Sequence, residues 1–276
     1  MIFTTIGTAK KETGLSYLGT VNQSSKLLKN FKVNNVLTYS LYLSPAHTSG
    51  YEVCPESTPE CRMGCLNTSG LAKVELNANK TTIKDARITK TRLLIEHQEY
   101  FMNWLIAEIK SAKLKAIKLN ADFSIRLNCT SDIHWANTLL NGQNIFEIFP
   151  DVQFYDYSKI FNKFENKPEN YDLTFSYSGH NYSNCLRVLD MNCNVAMVFN
   201  IDKKGKLPEY FDGFEVIDGD ISDLRSIDKK KVIVGLRWKI IANKAHNEII
   251  KRSDFVIQMN DKRIGIKPKI TEYELV

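Results

Sequence analysis

"YDLTFSYSGHNYSNCLRVLDMNCNVAMVFNI", residues 171–201, is the stretch that decides the fold. It opens with a β-rich run at 171–178, continues through a segment that suits a helix at 184–192, and ends in a second apolar run at 195–201. A strand, a helix and a second strand form a βα unit, and consecutive units of this kind favour a mostly parallel sheet. The stretch therefore predicts an α/β fold.

The same alternation of β-rich runs with helical or polar connections extends over most of the chain from residue 116 onward. Further strands are predicted at 123–129, 152–158, 214–220, 231–239 and 254–259, with another at 36–45. Helices are predicted at 132–150 and, as two helices or one broken helix, within 81–115, with Thr89 or Thr91 as caps. Six or seven βα units are enough to form a barrel, so we expect a partial or full βα-barrel-like domain.

Size and composition are compatible with one soluble domain. The chain has 276 residues, of which 43% are hydrophobic and 25% charged, as in ordinary globular proteins. We assign residues 1–80 to an N-terminal segment, 81–260 to the barrel-like core and 261–276 to a tail. No apolar run approaches the roughly 18–20 residues of a membrane span, and the first residues are too polar for a secretory signal. We expect a cytoplasmic protein with reduced thiols.

The N-terminal segment carries the most unusual stretch, "YEVCPESTPECRMGCLNTSG", residues 51–70. Cys54, Cys61 and Cys65 lie within twelve residues of a polar, turn-rich loop. A disulfide between two of these cysteines would leave the third thiol unpaired. The loop also offers no apolar face on which cysteine side chains could pack. Three converging thiols instead indicate ligands for an iron–sulfur cluster or for zinc. Zinc sites usually have two paired knuckles, and this loop reads C-x6-C-x3-C.

Polar residues gather where the predicted strands end. In a βα barrel these carboxyl ends share one edge, where the chemistry is located. We expect five of them to shape a pocket over the open iron of a [4Fe–4S] cluster and to bind a small-molecule ligand there. These candidate cofactor-binding residues are Asn128, Asp132, Tyr157, Ser178 and Arg237.

The order of several short motifs carries a family resemblance. "LTYSLYLSPAHTSG" precedes the cysteine loop, and "IRLNCTSDIHW", "FPDVQFYDYSK", "LTFSYSG" and "DGDISDLR" follow it. Over roughly residues 36–239 the chain resembles a phage and mobile-element family that is named after a mycobacteriophage gene product, number eighty-eight. If the chain is phage-encoded, as this resemblance implies, the expected location is the host cytoplasm. More distantly, the chain looks like the radical S-adenosylmethionine superfamily. In that superfamily three cysteines after the first strand of a partial βα barrel hold a [4Fe–4S] cluster.

The superfamily resemblance implies that Cys54, Cys61 and Cys65 are cluster ligands and that the segment containing Asp132 faces the cluster. It makes S-adenosylmethionine a candidate ligand, with reductive cleavage to a radical as the reaction. The chain departs from the superfamily pattern in two respects. It has no clear glycine-rich strand end for the methionyl group of the cofactor, the nearest candidate being "YSGHN" at 177–181, and its cysteine loop is different. The usual loop is C-x3-C-x2-C with an aromatic residue before the last cysteine, whereas Gly64 occupies that place here.

A function of another class is also open. The formal net charge is +6, lysines are spread along the chain, and there are twelve tyrosines. A basic surface with aromatic residues is typical of nucleic-acid binding. The alternative is therefore a structural or redox-sensing cluster, or a zinc site, in a protein that binds nucleic acid.

Overall fold

The computed structural model of the chain describes residues 1–22, 24–68, 71–241 and 243–268, so the end of the predicted tail, 269–276, lies outside the described residues. The fold is mixed α/β. Its strands are β1 Gly19–Val21, β2 Val36–Leu41, β3 Asp122–Arg126, β4 Gln153–Ser158, β5 Tyr171–Ser176, β6 Asn194–Phe199, β7 Tyr210–Phe211, β8 Phe214–Asp218, β9 Ile233–Arg237 and β10 Val256–Ile257.

The helices flank this sheet and connect its strands. They are α1 Ile6–Thr13, α2 Ser25–Asn34, α3 Pro59–Met63, α4 Leu71–Asn77, α5 Thr82–Glu96, α6 Gln98–Lys118, α7 Ile145–Ile148, α8 Tyr182–Asp190 and α9 Lys244–Lys251. Short 3₁₀ turns lie at Leu66–Thr68, Trp135–Asn137, Phe161–Phe164 and Arg225–Ile227.

The ten strands form a single, open sheet. Its order is β1-β2-β3-β4-β5-β6-β9-β8-β7, and β10 pairs with β6. All neighbouring pairs from β2 to β8 are parallel, whereas β1 joins β2 and β7 joins β8 in antiparallel pairs. Closing a barrel requires the two edges of a sheet to pair. Here a short antiparallel strand occupies each edge, so the sheet is not closed and the expectation of a full barrel is wrong.

The stretch 171–201 forms the predicted βα unit. It contains β5, α8 and β6, and the two strands pair in parallel. Helix α8 buries Cys185, Val188 and Leu189, whose helical spacing gives it one apolar face against the sheet. This unit therefore has the local structure that its sequence pattern predicts.

The helical predictions at 81–115 and 132–150 have different outcomes. The first region contains the two helices α5 and α6, but the Thr89 and Thr91 hydroxyls bond carbonyl groups inside α5 and do not cap it. The second region contains only a 3₁₀ turn and the four-residue α7. A turn with positive φ at Asn141 and Gly142 separates the two pieces and interrupts any longer helix.

The two faces of the sheet differ in polarity because successive side chains of a strand point to opposite faces. One face carries the main core, which includes Ile125, Phe154 and Phe175 and receives Phe101 and Trp104 of α6. The opposite face, which we call the polar face, is defined by residues Thr38, Ser124, Arg126, Tyr155 and Thr174, four of which are buried and one, Arg126, half-buried.

The polar face is covered by α2 and by residues 219–230, which connect β8 to β9 and which we call the crossing segment. Asn30 of α2 donates to the hydroxyl oxygens of Thr38 and Tyr155, both at 3.1 Å. At the end of the crossing segment, the Lys230 ammonium contacts both carboxylate oxygens of Asp172, at 2.7 and 2.6 Å. The sheet is thus packed on both faces.

Both ends of the described chain join the same sheet. Strands β1 and β2 lie within the predicted N-terminal segment, and β2 pairs with β3 of the core. Within the predicted tail, Ile264 forms a β-bridge with Phe211. The Arg263 guanidinium lies over the rings of Tyr182 and Phe211, at 4.6 and 4.7 Å from their centroids.

Candidate metal centre

Residues 51–68, which we call the cysteine segment, lie at the carboxyl edge of the parallel sheet, after the chain leaves β2. The chain that leaves the neighbouring strand β3 is bonded to the chain that leaves β2 at two points. The Thr130 hydroxyl donates to the carbonyl oxygen of Leu43 at 2.6 Å, and the N–H of Asp132 donates to the carbonyl oxygen of Val53 at 2.7 Å. The residue before Cys54 is therefore fixed to the exit of β3.

Cys54 is held in a short non-helical stretch by contacts to its sulfur and its backbone. The N–H of Ala46 donates to Sγ at 3.4 Å, and the thiol lies 3.8 Å from the carbonyl oxygen of Thr130. Glu52 accepts the N–H of Cys54 at 2.6 Å and pairs with Arg62 at 3.3 Å. The Glu52 carboxylate thereby joins the stretch before Cys54 to the helix that carries Cys61.

Cys61 and Cys65 lie in and just after the short helix α3, which the expected polar loop did not anticipate. Pro59 occupies its first turn, where a missing N–H is tolerated. The hydroxyl of the N-cap residue Thr58 accepts the N–H of Cys61 at 3.2 Å. Cys65 follows the helix, and its Sγ accepts the N–H of Asn67 at 3.5 Å.

The three thiols interact electrostatically with one another. Burial raises the pKa of Cys54 to about 12, and the neighbouring Cys65, Asp132 and Cys61 groups add to this rise. Burial also raises the pKa of Cys65, and Cys61 again adds to it. Because metal ligation requires thiolates, loading this site with a metal would release protons.

The spacing of the donors does not match a site for a single ion. In the described residues, no three His, Cys, Asp or Glu side chains are arranged to hold one metal ion. Three sulfurs on one zinc lie only about 4 Å apart, since each Zn–S bond is about 2.3 Å. In a [4Fe–4S] cluster each cysteine binds a different iron, so the sulfurs are farther apart. N–H groups are directed at two of the three sulfurs, those of Cys54 and Cys65.

Lys159 is a lysine whose pKa responds to the cysteine segment. It directly follows β4, at the same edge of the sheet. Burial works against its charged form, yet its pKa is raised by the Cys61 thiol, the Asp132 carboxylate and the Cys54 thiol. Cys65 in turn experiences the positive charge of Lys159. The sequence analysis noted a polar strand end here but did not assign Lys159 to the site.

Asp132, a predicted cofactor-binding residue, connects the exits of β3 and β4. Its Oδ1 accepts the Ser158 hydroxyl at 2.7 Å and the Lys163 ammonium at 2.6 Å. Its Oδ2 accepts the N–H of Lys159 at 2.8 Å. Asp132 and Lys163 are both buried. We call Asp132, Ser158 and Lys163 the Asp132 cluster, which fixes the backbone from which the Lys159 side chain projects.

Asn128, another predicted cofactor-binding residue, organises the loop after β3. Its Oδ1 accepts from the Ser131 hydroxyl, the Ile133 N–H and the Trp135 indole at 2.9, 3.0 and 3.2 Å. Its side-chain amide nitrogen donates to the carbonyl oxygen of Ile133 at 3.0 Å. Because these bonds bend residues 131–135 around one side chain, they also explain why no long helix begins at Asp132.

The other three predicted pocket residues have separate surroundings. Ser178, after β5, donates its N–H to Asn181 at 2.8 Å. Arg237 ends β9 and pairs with Asp218 at 2.8 Å and Asp220 at 3.4 Å. The ring of Tyr157 lies on the polar face, with the Arg126 guanidinium 4.8 Å from its centroid. Of the five predicted residues, Asp132 is the one whose printed bonds reach the cysteine segment, through Val53, whereas Asn128, Tyr157, Ser178 and Arg237 have other partners.

A second buried group of charges lies between the polar face and the crossing segment. The Arg126 guanidinium pairs with Asp223 at 2.7 Å, and Arg225 lies 3.1 Å from Asp228. Three of its buried atoms make no hydrogen bond within the described residues: the Tyr157 hydroxyl, Nε of Arg126 and Nε of Arg225. Nη1 of Arg225 and Oδ2 of Asp228 form the ion pair at 3.1 Å but also make no hydrogen bond. We call Arg126, Tyr157, Asp223, Arg225 and Asp228 the Arg225 cluster.

Comparison with protein families decides the family of this chain. A family model described as Gene product 88 matches residues 5–255, which is most of the chain. The chain belongs to the Gene product 88 family. The family resemblance seen in the sequence is thereby confirmed. Comparisons of this Gene product 88 protein with curated proteins and with solved structures gave no significant match. In the described part of the chain, no helix has the length and apolarity needed to cross a membrane.

Proposed function

We propose that this Gene product 88 protein binds one [4Fe–4S] cluster through Cys54, Cys61 and Cys65. The supporting observation is that the three cysteines lie in one short segment that follows β2 at the carboxyl edge of the sheet, where the carbonyl oxygen of Val53 is bonded to the exit of β3. Two of the three sulfurs also accept backbone N–H groups. Such hydrogen bonds are among the features that tune iron–sulfur clusters.

We further propose that the cluster is catalytic and that S-adenosylmethionine is its ligand. Six parallel strands, β2-β3-β4-β5-β6-β9, follow one another in chain order, and the cysteines come after the first of them. This is the order that the resemblance to the radical S-adenosylmethionine superfamily implies for a partial βα barrel. A bound cluster would supply one electron for reductive cleavage of this ligand. The chain's own contribution is to hold the three thiols and to fix the strand exits beside them through Asn128 and Asp132.

Metal analysis of anaerobically purified protein tests the cluster. We expect iron and acid-labile sulfide in equal amounts in the wild type, and their loss in Cys61→Ala. Cys193→Ala is the matched control, because Cys193 lies outside the cysteine segment and just before β6; it should retain both. Stoichiometric zinc without sulfide in the wild type would overturn the proposal.

Ligand binding tests the catalytic half separately. The loaded wild-type protein should bind S-adenosylmethionine and cleave it when a reductant is added, and Cys61→Ala should do neither. A loaded protein that fails to bind this ligand would retain the cluster proposal and remove the enzyme proposal. Salt-dependent retention of that protein on nucleic acid would then favour the alternative of a structural or redox-sensing cluster.

A further inference from the structure

We propose that Trp238 and Ile250 are positioning residues for the proposed centre, because they hold the short helix α3, and with it Cys61 and Cys65, against the far end of the chain. The inference rests on the proposed function in so far as these thiols are two of its three ligands. It assigns to helix α9 and the exit of β9 a role that neither the cysteine motif nor the family match gives.

Helix α3 cannot fix the place of its own cysteines. It has only five residues, Pro59–Met63, and isolated helices shorter than about 12–15 residues are marginal in water. The Thr58 hydroxyl caps its first turn but does not determine where the helix lies in the fold. The positions of Cys61 and Cys65 therefore depend on what α3 packs against.

The packing partner of α3 is helix α9. Met63, at the end of α3, packs against a small hydrophobic cluster that is separate from the main core. Its buried members are Ile241, Ile250 and Val256, and Trp238 also packs against it. We call Trp238, Ile241, Ile250 and Val256 the α9 cluster. The end of the cysteine helix is thus held by residues from the last forty of the described chain.

The closest approach to the α9 cluster is at Gly64, which directly follows α3. A Cβ atom at Gly64 would lie 3.3 Å from Cδ1 of Ile250 and 3.7 Å from Cη2 of Trp238. The φ of Gly64 is −84°, which any residue adopts, so the backbone does not require glycine here. The two side chains instead fill the space beside Gly64. Since Cys65 is the next residue, the contact fixes the third thiol as well.

The α9 cluster is itself attached firmly to the sheet. The N–H of Trp238 donates to the carbonyl oxygen of Phe199, the last residue of β6, at 3.1 Å. The Asn247 side chain accepts the N–H of Ile241 at 3.0 Å and donates to its carbonyl oxygen at 3.1 Å. Val256 lies in β10, which pairs with β6. The cluster therefore gives α3 a fixed support near the exits of β6 and β9.

The cysteine segment consequently has two separate attachments. Val53 is bonded to the exit of β3 and fixes the stretch that carries Cys54. The α9 cluster fixes Cys61 and Cys65, and residues 55–58 join the two parts. Loosening the α9 cluster should therefore release Cys61 and Cys65 while leaving Cys54 in place.

Alkylation of each cysteine by N-ethylmaleimide, followed by mass spectrometry of the reduced full-length protein without metal, tests this inference. Ile250→Ala should raise the rates at Cys61 and Cys65 about tenfold or more, because α3 opens more easily once its support has a cavity. The rate at Cys54 should stay within about twofold of the wild type. Ile249→Ala is the matched control, because Ile249 is the neighbouring residue of α9 but is 51% exposed; it should leave all three rates unchanged.

Cys185 distinguishes local release from global unfolding, because it is fully buried on α8. If Ile250→Ala raises the rate at Cys185 as much as at Cys61, the variant is unfolded, and Gly64→Val decides. This second variant adds bulk to the contact and leaves the α9 cluster unchanged. A rise at Cys61 without a rise at Cys185 supports the inference, and unchanged rates at both overturn it.

Iron and sulfide analysis of the same variants separates the inference from the proposed function. If the wild type and Ile249→Ala load and Ile250→Ala does not, both stand, provided that Cys185 stays protected. Equal loading of the wild type and Ile250→Ala overturns the positioning role and leaves the cluster intact. Wild-type protein without iron and sulfide overturns the proposed function, and a selective rise at Cys61 would still show that the α9 cluster holds these thiols.

Discussion

The Asp132 cluster and the Arg225 cluster are both buried groups of charged residues, but they differ in how completely their hydrogen bonds are made. Both oxygens of Asp132 accept short hydrogen bonds, and Lys163 donates three. In the Arg225 cluster, by contrast, several buried polar atoms have no partner among the described residues. Both clusters contain ion pairs, so the difference lies in geometry and not in charge.

The difference indicates what each cluster contributes to the molecule. A buried polar network that is fully satisfied fixes one arrangement of its surroundings, whereas unmet buried groups each cost free energy. The Asp132 cluster lies beside the cysteine segment and fixes its frame. The Arg225 cluster lies between the polar face and the crossing segment, away from the cysteine segment. Substitutions in the first should therefore be costlier than matched substitutions in the second.

The largest expected effect comes from removing the Asp132 carboxylate. Asp132→Ala leaves the buried Lys163 ammonium without its counter-ion and should lower the free energy of unfolding by about 3–5 kcal/mol. Urea denaturation would measure the loss. Asp151→Ala is the control, because Asp151 also pairs with a lysine, Lys113, but is exposed; it should change stability by less than about 0.5 kcal/mol. Similar losses in the two variants would contradict the distinction between them.

A smaller effect is expected from the pH dependence of the Arg225 cluster. Burial raises the pKa of Asp228 to about 6 from an ordinary 3.8, although Arg225 opposes this rise. The folded state therefore binds more protons than the unfolded state between these values, and stability should fall as the pH rises from about 4 to about 6. Asp228→Asn should remove the contribution of Asp228 to this fall and stabilise the protein by about 1–2 kcal/mol above pH 6.

Thermal unfolding of wild type and Asp228→Asn across pH 4–8 is the measurement. Part of the slope should persist in the variant, because burial also raises the pKa of Asp156 to about 7. If the stability of both proteins changes with pH by the same amount from pH 4 to pH 6, the ionised Asp228 carboxylate does not destabilise the folded state.

The smallest effect is expected from two tyrosines that share the polar face. Tyr155→Phe removes a hydroxyl that contacts Asn30 at 3.1 Å and Asp223 at 3.4 Å, and should cost about 1 kcal/mol. Tyr157→Phe removes a buried hydroxyl without a partner and should be neutral or slightly stabilising. Parallel urea denaturation compares them, and a greater loss in Tyr157→Phe would show that its hydroxyl is satisfied after all.

Local patterns predicted the βα units correctly, because the signal for each unit lies within about thirty residues. The stretch 171–201 is the clearest case, since its apolar runs and the helical face of α8 need no distant partner. The helix predicted at 132–150 was wrong, because the Asn128 side chain bonds the loop after β3 and the turn at Asn141 interrupts the chain. Barrel closure could not be judged from sequence, since it depends on which distant strands occupy the edges.

In the candidate site, too, some residues can be predicted from nearby sequence and others only from the packing of distant strands. Cys54, Cys61 and Cys65 are visible as a group because they are close in sequence. Lys159 is not, because its relation to the cysteines arises only when the exits of β3 and β4 lie side by side. Similarly, the bonds between Asp132 and Lys163 depend on strand neighbours that no local pattern specifies.

The strand order also has a consequence for synthesis on the ribosome. Strands β2 to β6 can be added to a growing sheet in the order in which they are translated, since each pairs with its predecessor. The β7–β8 hairpin cannot, because β9 lies between it and β6 and is made later. At translation rates of about 5–20 residues per second, the hairpin waits roughly one to three seconds for β9. During that interval the nascent chain exposes an unpaired edge of β6, and this edge is where a chaperone would have most to protect.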